Sequence, residues 1–256
     1  MFHEKALLGL KDINVVFTEK GDENSPYFFN VENGIKQLHT ILKSTGKFDY
    51  VINCIGILSN NIDKRNPESI SRAILVNSLF PYDLVKLGNE FGFRIIHIST
   101  DGVFSRSAGF CNEGSEQFCE DIYGKTKNLG EGFSTQLLNL RCSIIGPSPF
   151  KNNGIMEWFT KQPKGAEVKG YTDHIWSGAT TLQLARLCYS IISRNRFHLI
   201  RNEAPVHHFC PNYPISKFDL LGLFKKQLRP DIKVMPVKSP DGPLNRVLGT
   251  RFKQIN

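Results

Sequence analysis

The 256-residue sequence predicts an α/β protein, a doubly wound parallel sheet followed by a smaller C-terminal lobe. Three observations carry this expectation. Tyr50–Gly56 and Leu138–Ile145 are nearly unbroken apolar runs, as in strands covered on both faces. Segments with apolar residues at helical spacing lie between such runs, so strand and helix patterns alternate. Beyond Pro147 prolines and glycines become denser and the alternation breaks. That change sets a boundary near residue 150, with a first domain over 1–150 and a lobe over 151–256.

In chain order, Asn14–Thr18 is a short β-rich run and Tyr27–Val31 a weaker second one. Gly34–Thr45 has helical spacing through Ile35, Leu38, Ile41 and Leu42 and stops at Gly46. Tyr50–Gly56 is the next strand. A long helical pattern covers Pro67–Phe91, which Pro81 kinks or divides because proline lacks the N–H that an interior turn needs. Arg94–Ser99 is a strand, Asp121–Leu138 a helix, and Leu138–Ile145 a further strand. In the lobe, helices over Thr180–Ser193 and Ile215–Gln227 alternate with extended pieces at His198–Arg201 and Lys233–Val237. In such sheets ligands bind beyond the carboxyl ends of strands. Three segments therefore come under scrutiny, namely Asn53–Ile57, Ser99–Phe104 and Ser143–Pro147.

Composition removes several classes of function. No apolar stretch approaches the length of a membrane span, and Met1–Lys5 is not followed by an apolar signal core. The six cysteines (Cys54, Cys111, Cys119, Cys142, Cys188 and Cys210) form no C-x-x-C pair. A reduced, cytoplasmic protein is expected. The net charge of +8 is dispersed, with no basic stripe interleaved by aromatic residues, so a small anionic ligand suits it better than nucleic acid. His207, His208 and Cys210 lack a fourth ligand at suitable spacing, and no metal is assigned.

The chemistry concentrates around Tyr123 and Lys127. Four residues apart on one helix, they share a face. A phenol has an ordinary pKa near 10, and a neighbouring ammonium favours the phenolate, making proton exchange with a carbonyl or alcohol feasible. Thr100, at the end of the preceding strand, offers a hydroxyl to hold the same oxygen. A hydride would have to come from a nicotinamide, since no side chain supplies one.

The segments Val51–Ile57, Val76–Pro81, Ile96–Phe104, Asp121–Lys127, Leu140–Gly146 and Val168–Tyr171 together resemble the extended short-chain dehydrogenase/reductases. The resemblance is greatest to the dTDP-4-dehydrorhamnose reductase-like branch of sugar-nucleotide enzymes, and it runs from about residue 12 to the C-terminus. It implies a Rossmann-type sheet with a substrate-binding C-terminal lobe, NADPH (or NADH) as cofactor, and reduction of the 4-keto group of a nucleotide-diphosphate deoxysugar for surface polysaccharide synthesis. By position it implies Thr100, Tyr123 and Lys127 as catalytic residues. Asn30, Val31, Ile55, Gly56 and Ile57, with Tyr123 and Lys127, would lie along the cofactor. Thr100, Asp101 and Ile144 would meet the substrate. Asn77 falls where a helix faces the site. Trp158, Tyr171, His174 and Trp176 are candidates for closing over the sugar, Glu113 and Asp121 for its hydroxyls, and Lys20 for a 2′-phosphate. The partner implied is a nucleotide sugar, with no nucleic acid or membrane, and a homodimer is left open. Gly102, directly after Thr100-Asp101, stands where dehydratases of the superfamily carry an acidic residue, which favours simple reduction over epimerisation or dehydration.

One departure stands out. The family opens on a strand and a Gly-x-x-Gly-x-x-Gly turn around the pyrophosphate, and no such turn is present; Met1–Leu10 resembles the helix that should follow it. Loss of upstream residues, replacement of the strand by another segment or subunit, and a non-catalytic binding or regulatory chain are the three explanations. The first is preferred because the Tyr123, Lys127 and Thr100 set is intact.

Overall fold

The computed structural model describes residues 13–148 and 154–255. The chain divides into two compact units of interleaved segments: 1–99, 121–140 and 186–207 in the first, and 100–120, 141–185 and 208–256 in the second.

The first unit holds a four-stranded sheet. In sheet order its strands are β1 (Tyr50–Asn53), β2 (Arg94–Thr100), β4 (Leu137–Cys142) and β9 (Val206–His208), and β1 and β2 run parallel with Asn53 opposite His97. Helices α1 (Lys36–Thr45) and α3 (Phe80–Phe91) supply the apolar cover, and α2 (Pro67–Ile74) precedes α3. Leu38, Ile41 and Leu42 of α1 and Leu84 and Leu87 of α3 enclose Phe29, Phe93 and Ile95. The alternation predicted from the sequence is thus present as a doubly wound α/β unit.

The long helical pattern over Pro67–Phe91 is one continuous rod with a defect. Asn66 caps α2 by accepting from the backbone N–H groups of Glu68 and Ser69, and Pro67 occupies a first-turn position where its missing N–H costs nothing. Leu75–Leu79 then widens into a π turn before α3. Pro81 lies four residues after Asn77 and has no N–H for its carbonyl, so a widened turn absorbs the mismatch. The bulge turns the buried Asn77 off the helix: Oδ1 accepts from Ile57 N at 2.8 Å, while Nδ2 donates to Ile57 O at 3.0 Å and to Thr126 Oγ1 at 3.1 Å.

Four expectations are corrected. Asn14–Thr18 and Tyr27–Val31 form no strands; a single bridge joins Glu19 to Phe28, and Val31–Asn33 is a 3-10 turn. Their β-rich composition finds no ladder among the described residues, although Phe29 and Val31 still enter the core. The helix expected over Asp121–Leu138 is α4 (Ile122–Leu129), which ends before Gly130, and Leu137 and Leu138 belong to β4. The strand expected to reach Ile145 is broken at Ser143 into β4 and β5 (Ile144–Ile145). His198–Arg201 lies in helix α7 (Phe197–Glu203), preceded by α6 (Thr181–Ser193). Met1–Leu10 lies outside the described residues.

The second unit contains β3 (Gly109–Cys111), β7 (His174–Trp176), β10 (Ile215–Ser216) and β12 (Leu244–Leu248) in the order β10-β7-β12-β3. A parallel pair, β6 (Glu167–Tyr171) with β11 (Lys233–Val237), lies against α8 (Lys217–Gln227). Phe159 of α5 (Ile155–Thr160), Val168, Leu221 and Ile232 fill the space between them. The short β8 (Ala179–Thr180) pairs with β5. Among the described residues no helix is long and apolar enough to cross a membrane.

Candidate active site

Of the residues singled out in the sequence, the first unit links Ile57, Asn77 and Lys127 near the carboxyl ends of β1 and β2. Asp121 accepts from Gly124 N at 2.7 Å and so caps α4, which accounts for its carboxylate without a sugar. From that cap, Tyr123 and Lys127 follow one turn apart on the same face. Tyr123 is half-buried; Lys127 is 4% exposed, and its Nζ donates to the carbonyl oxygen of Ile98 at 2.6 Å. A buried ammonium needs such partners, because an unpaired charge in the interior is strongly disfavoured.

The Ile55–Ile57 segment is joined to this helix through Asn77, which ties both backbone groups of Ile57 to Thr126. Ile55 is half-buried and donates its N–H to Asn53 Oδ1 at 3.1 Å. Gly56 is exposed, and a Cβ there would meet only Asn77 Oδ1, at an ordinary 3.4 Å. Ile57 faces the apolar core. Asn30 caps the 3-10 turn, accepting from Glu32 N at 3.2 Å, and Val31 is buried behind it. Lys20 lies 2.7 Å from Glu32, whose carboxylate also takes Arg72 at 3.0 Å.

Sequence reasoning missed a row of buried polar side chains. Asn53, His97, Ser99, Asn139 and Arg141 all sit inside strands that read as apolar runs. Ser99 donates to Glu131 at 2.5 Å, fixing the segment just beyond α4. Asn53 Nδ2 lies 3.0 Å from His97 Nδ1, and His97 Nε2 lies 3.4 Å from Lys127 Nζ. Burial, reinforced by the Lys127 charge, holds the His97 pKa well below the ordinary imidazole value. The available signal was a histidine between isoleucines in Ile95–Ile98, where the pattern asks for an apolar side chain.

Thr100, Asp101 and Ile144 fall in the second unit. Thr100 Oγ1 accepts from Gly102 N at 3.0 Å and donates to Asp101 Oδ1 at 3.1 Å. Burial pushes the Asp101 carboxyl up, against the pull of Arg246 and Thr100. Ile144 is partly exposed on β5, opposite Ala179. Trp176 donates to Ser143 Oγ at 2.8 Å, and the Tyr171 ring packs on His174 at 4.7 Å, with Lys217 Nζ over the same ring at 5.1 Å from its centroid. Trp158 is exposed. His207 and His208 bond carbonyl oxygens of Ile200 and Gly249 at 2.9 and 2.8 Å.

Glu113 is not placed as a group for a sugar hydroxyl. Its carboxylate accepts from His208 N, Thr250 Oγ1 and Arg251 N at 2.6–2.9 Å, latching the C-terminal segment. Burial pushes the Glu113 carboxyl up, but these hydrogen bonds together outweigh it and hold the pKa below the ordinary value. A lowered folded pKa stabilises above the unfolded value of about 4.3, and the contribution is lost as pH falls through the folded value. Glu113→Gln is therefore expected to lower Tm at neutral pH, with the gap shrinking from about pH 4.3 downward and closing once pH has fallen through the lower folded value. Melting curves across pH check this, and a Tm gap that is unchanged in acid would contradict the latch.

The family described as RmlD substrate binding domain matches residues 29–246. The chain belongs to this family. It is 29% identical over 156 residues to the spore coat polysaccharide biosynthesis protein SpsK of Bacillus subtilis, a match covering 57% of this chain and 52% of that relative, about half its length. The fold of this family member is similar to that of the dTDP-4-dehydrorhamnose reductase from Yersinia enterocolitica, with TM-score 0.74 and 20% identity over 99% of this chain and 88% of that one. It is also similar to the Bacillus anthracis dTDP-4-dehydrorhamnose reductase in complex with NADP, with TM-score 0.73 and 16% identity over 96% and 86% of the two chains.

Proposed function

We propose that this family member is a nicotinamide-dependent reductase acting on the 4-keto group of a nucleotide-diphosphate deoxysugar, in the supply of surface polysaccharide. The observation that carries the reading is the Tyr123–Lys127 pair on one face of α4, its lysine bonded to Ile98 O at the carboxyl end of β2. The same end of the sheet presents the backbone of Ile55–Ile57, held to α4 by Asn77. The names of the structural relatives, one of them in complex with NADP, support the substrate and cofactor class, and SpsK supports the polysaccharide role.

The residues present fit a nicotinamide cofactor. A buried ammonium and a half-buried phenol on one helix face are groups that a ribose and a reacting carbonyl can use, and Gly56 leaves its own backbone uncovered by a side chain. Ile55, Gly56, Ile57 and Lys127 would hold the cofactor, which supplies the hydride. Tyr123 gives its phenolic proton to the carbonyl oxygen as the alcohol forms. Lys127 favours the resulting phenolate through its charge. Thr100, the last residue of β2, carries over from the family resemblance alone as the hydroxyl that steadies the same oxygen.

Titration with NADPH and, in parallel, NADH checks the cofactor. Enhanced nicotinamide fluorescence on binding, followed by its loss when a dTDP-4-keto-6-deoxy sugar is added, is expected. Failure of both dinucleotides to bind would sink the reductase reading for this chain.

A further inference from the structure

Asn53, His97 and Lys127 form a buried line from β1 through β2 to α4, and hydrogen-bond accounting fixes its protons. Asn53 Oδ1 accepts the Ile55 N–H at 3.1 Å, so the group facing His97 is the amide nitrogen Nδ2, which only donates. His97 Nδ1 must therefore be the acceptor, and the single proton of the neutral ring sits on Nε2. Burial keeps that ring neutral. Nε2 in turn lies 3.4 Å from Lys127 Nζ. Two donors face each other there, and no good hydrogen bond joins them. The ammonium makes its short bond with Ile98 O at 2.6 Å instead.

We propose that Asn53 and His97 are a pair of positioning residues that set where Lys127 is held. Asn53 locks the imidazole in the Nε2–H tautomer, and that N–H denies the ammonium an acceptor on its inner side, leaving it on the Ile98 carbonyl. Without Asn53 the ring could take the opposite tautomer and offer an Nε2 lone pair to Lys127. The resulting charge-assisted bond would draw Nζ off Ile98 O. A consequence for catalysis rests on the reductase reading above; the tautomer and its control by Asn53 do not.

The test is nitrogen-15 NMR of the imidazoles in the full chain without cofactor or substrate, with His97 among the seven histidines assigned by its loss in His97→Asn. The parent protein is expected to show an unprotonated Nδ1 and a protonated Nε2 for His97 at neutral pH. Asn53→Ala is expected to reverse that pattern. A parent spectrum with Nδ1 protonated, or an Asn53→Ala spectrum identical to the parent, overturns the proposal. His97→Asn keeps an oxygen where Nδ1 stood, so its bond to Asn53 and its folding should persist, and no ring nitrogen is offered to Lys127. Asn53→Ala, which by contrast turns an acceptor toward Lys127, is expected to lower kcat/KM for the proposed reduction on the order of tenfold, the effect of one displaced hydrogen bond. An unchanged kcat/KM overturns the positioning role. A chain that shows the tautomer switch but reduces no sugar nucleotide supports the pair and defeats the reductase reading instead.

Discussion

Tyr123→Phe is expected to lower kcat for reduction of a 4-keto sugar nucleotide by roughly two to four orders of magnitude, the range for loss of a positioned proton donor. The change removes one oxygen from a half-buried ring on α4 and leaves the apolar body in place. The Asp121 cap and the Asn77 bonds to Ile57 and Thr126 do not involve the phenol, so the helix and the Ile55–Ile57 segment should be undisturbed. NADPH affinity should accordingly stay within a few-fold of the parent's. Steady-state kinetics and a fluorescence titration on the same preparation separate the two quantities. Retained turnover would remove Tyr123 from its role, and lost affinity would mean that the variant had damaged the site rather than the chemistry.

Much of this site was legible in the sequence because its informative spacings are short. Tyr123 and Lys127 are one helical turn apart, and the strands around Tyr50–Asn53 and Arg94–Thr100 announce themselves by composition. Pro81 pointed to a break in the long helix, although its form, a π turn that turns Asn77 toward Ile57, depends on a partner twenty residues upstream. Pairings across the sheet left no comparable trace. Asn53 and His97 are 44 residues apart and meet only through strand register. Local composition also misled in both directions. Tyr27–Val31 is β-rich but joins no ladder among the described residues, and the helix read over Asp121–Leu138 ends before Gly130. Glu113 looked available for a ligand because its three partners, His208, Thr250 and Arg251, lie nearly a hundred residues or more away.

Gly130→Ala is expected to be among the most destabilising single-methyl additions in the chain, because the space at Gly130 is taken by backbone. A Cβ there would overlap the carbonyl oxygen of Asn77 and press on the ring of Pro81. Backbone of the π turn cannot swing aside as a flexible side chain could, and Asn77 is pinned by three hydrogen bonds of its own. Conformational freedom is not the issue, since no left-handed backbone is recorded at Gly130. The expected cost is that of overpacking, about 1–3 kcal/mol or more, which for a domain of this size lowers Tm by roughly 2–12 °C. The strain falls on the contact that couples α4 to Ile57, so NADPH affinity should weaken along with stability. Gly21→Ala, where nothing lies within 4 Å, is the matched control and should leave both unchanged. If Gly130→Ala melted with the parent, the close approach of α4 to the π turn would be wrong, and with it the means by which Asn77 joins α4 to Ile57.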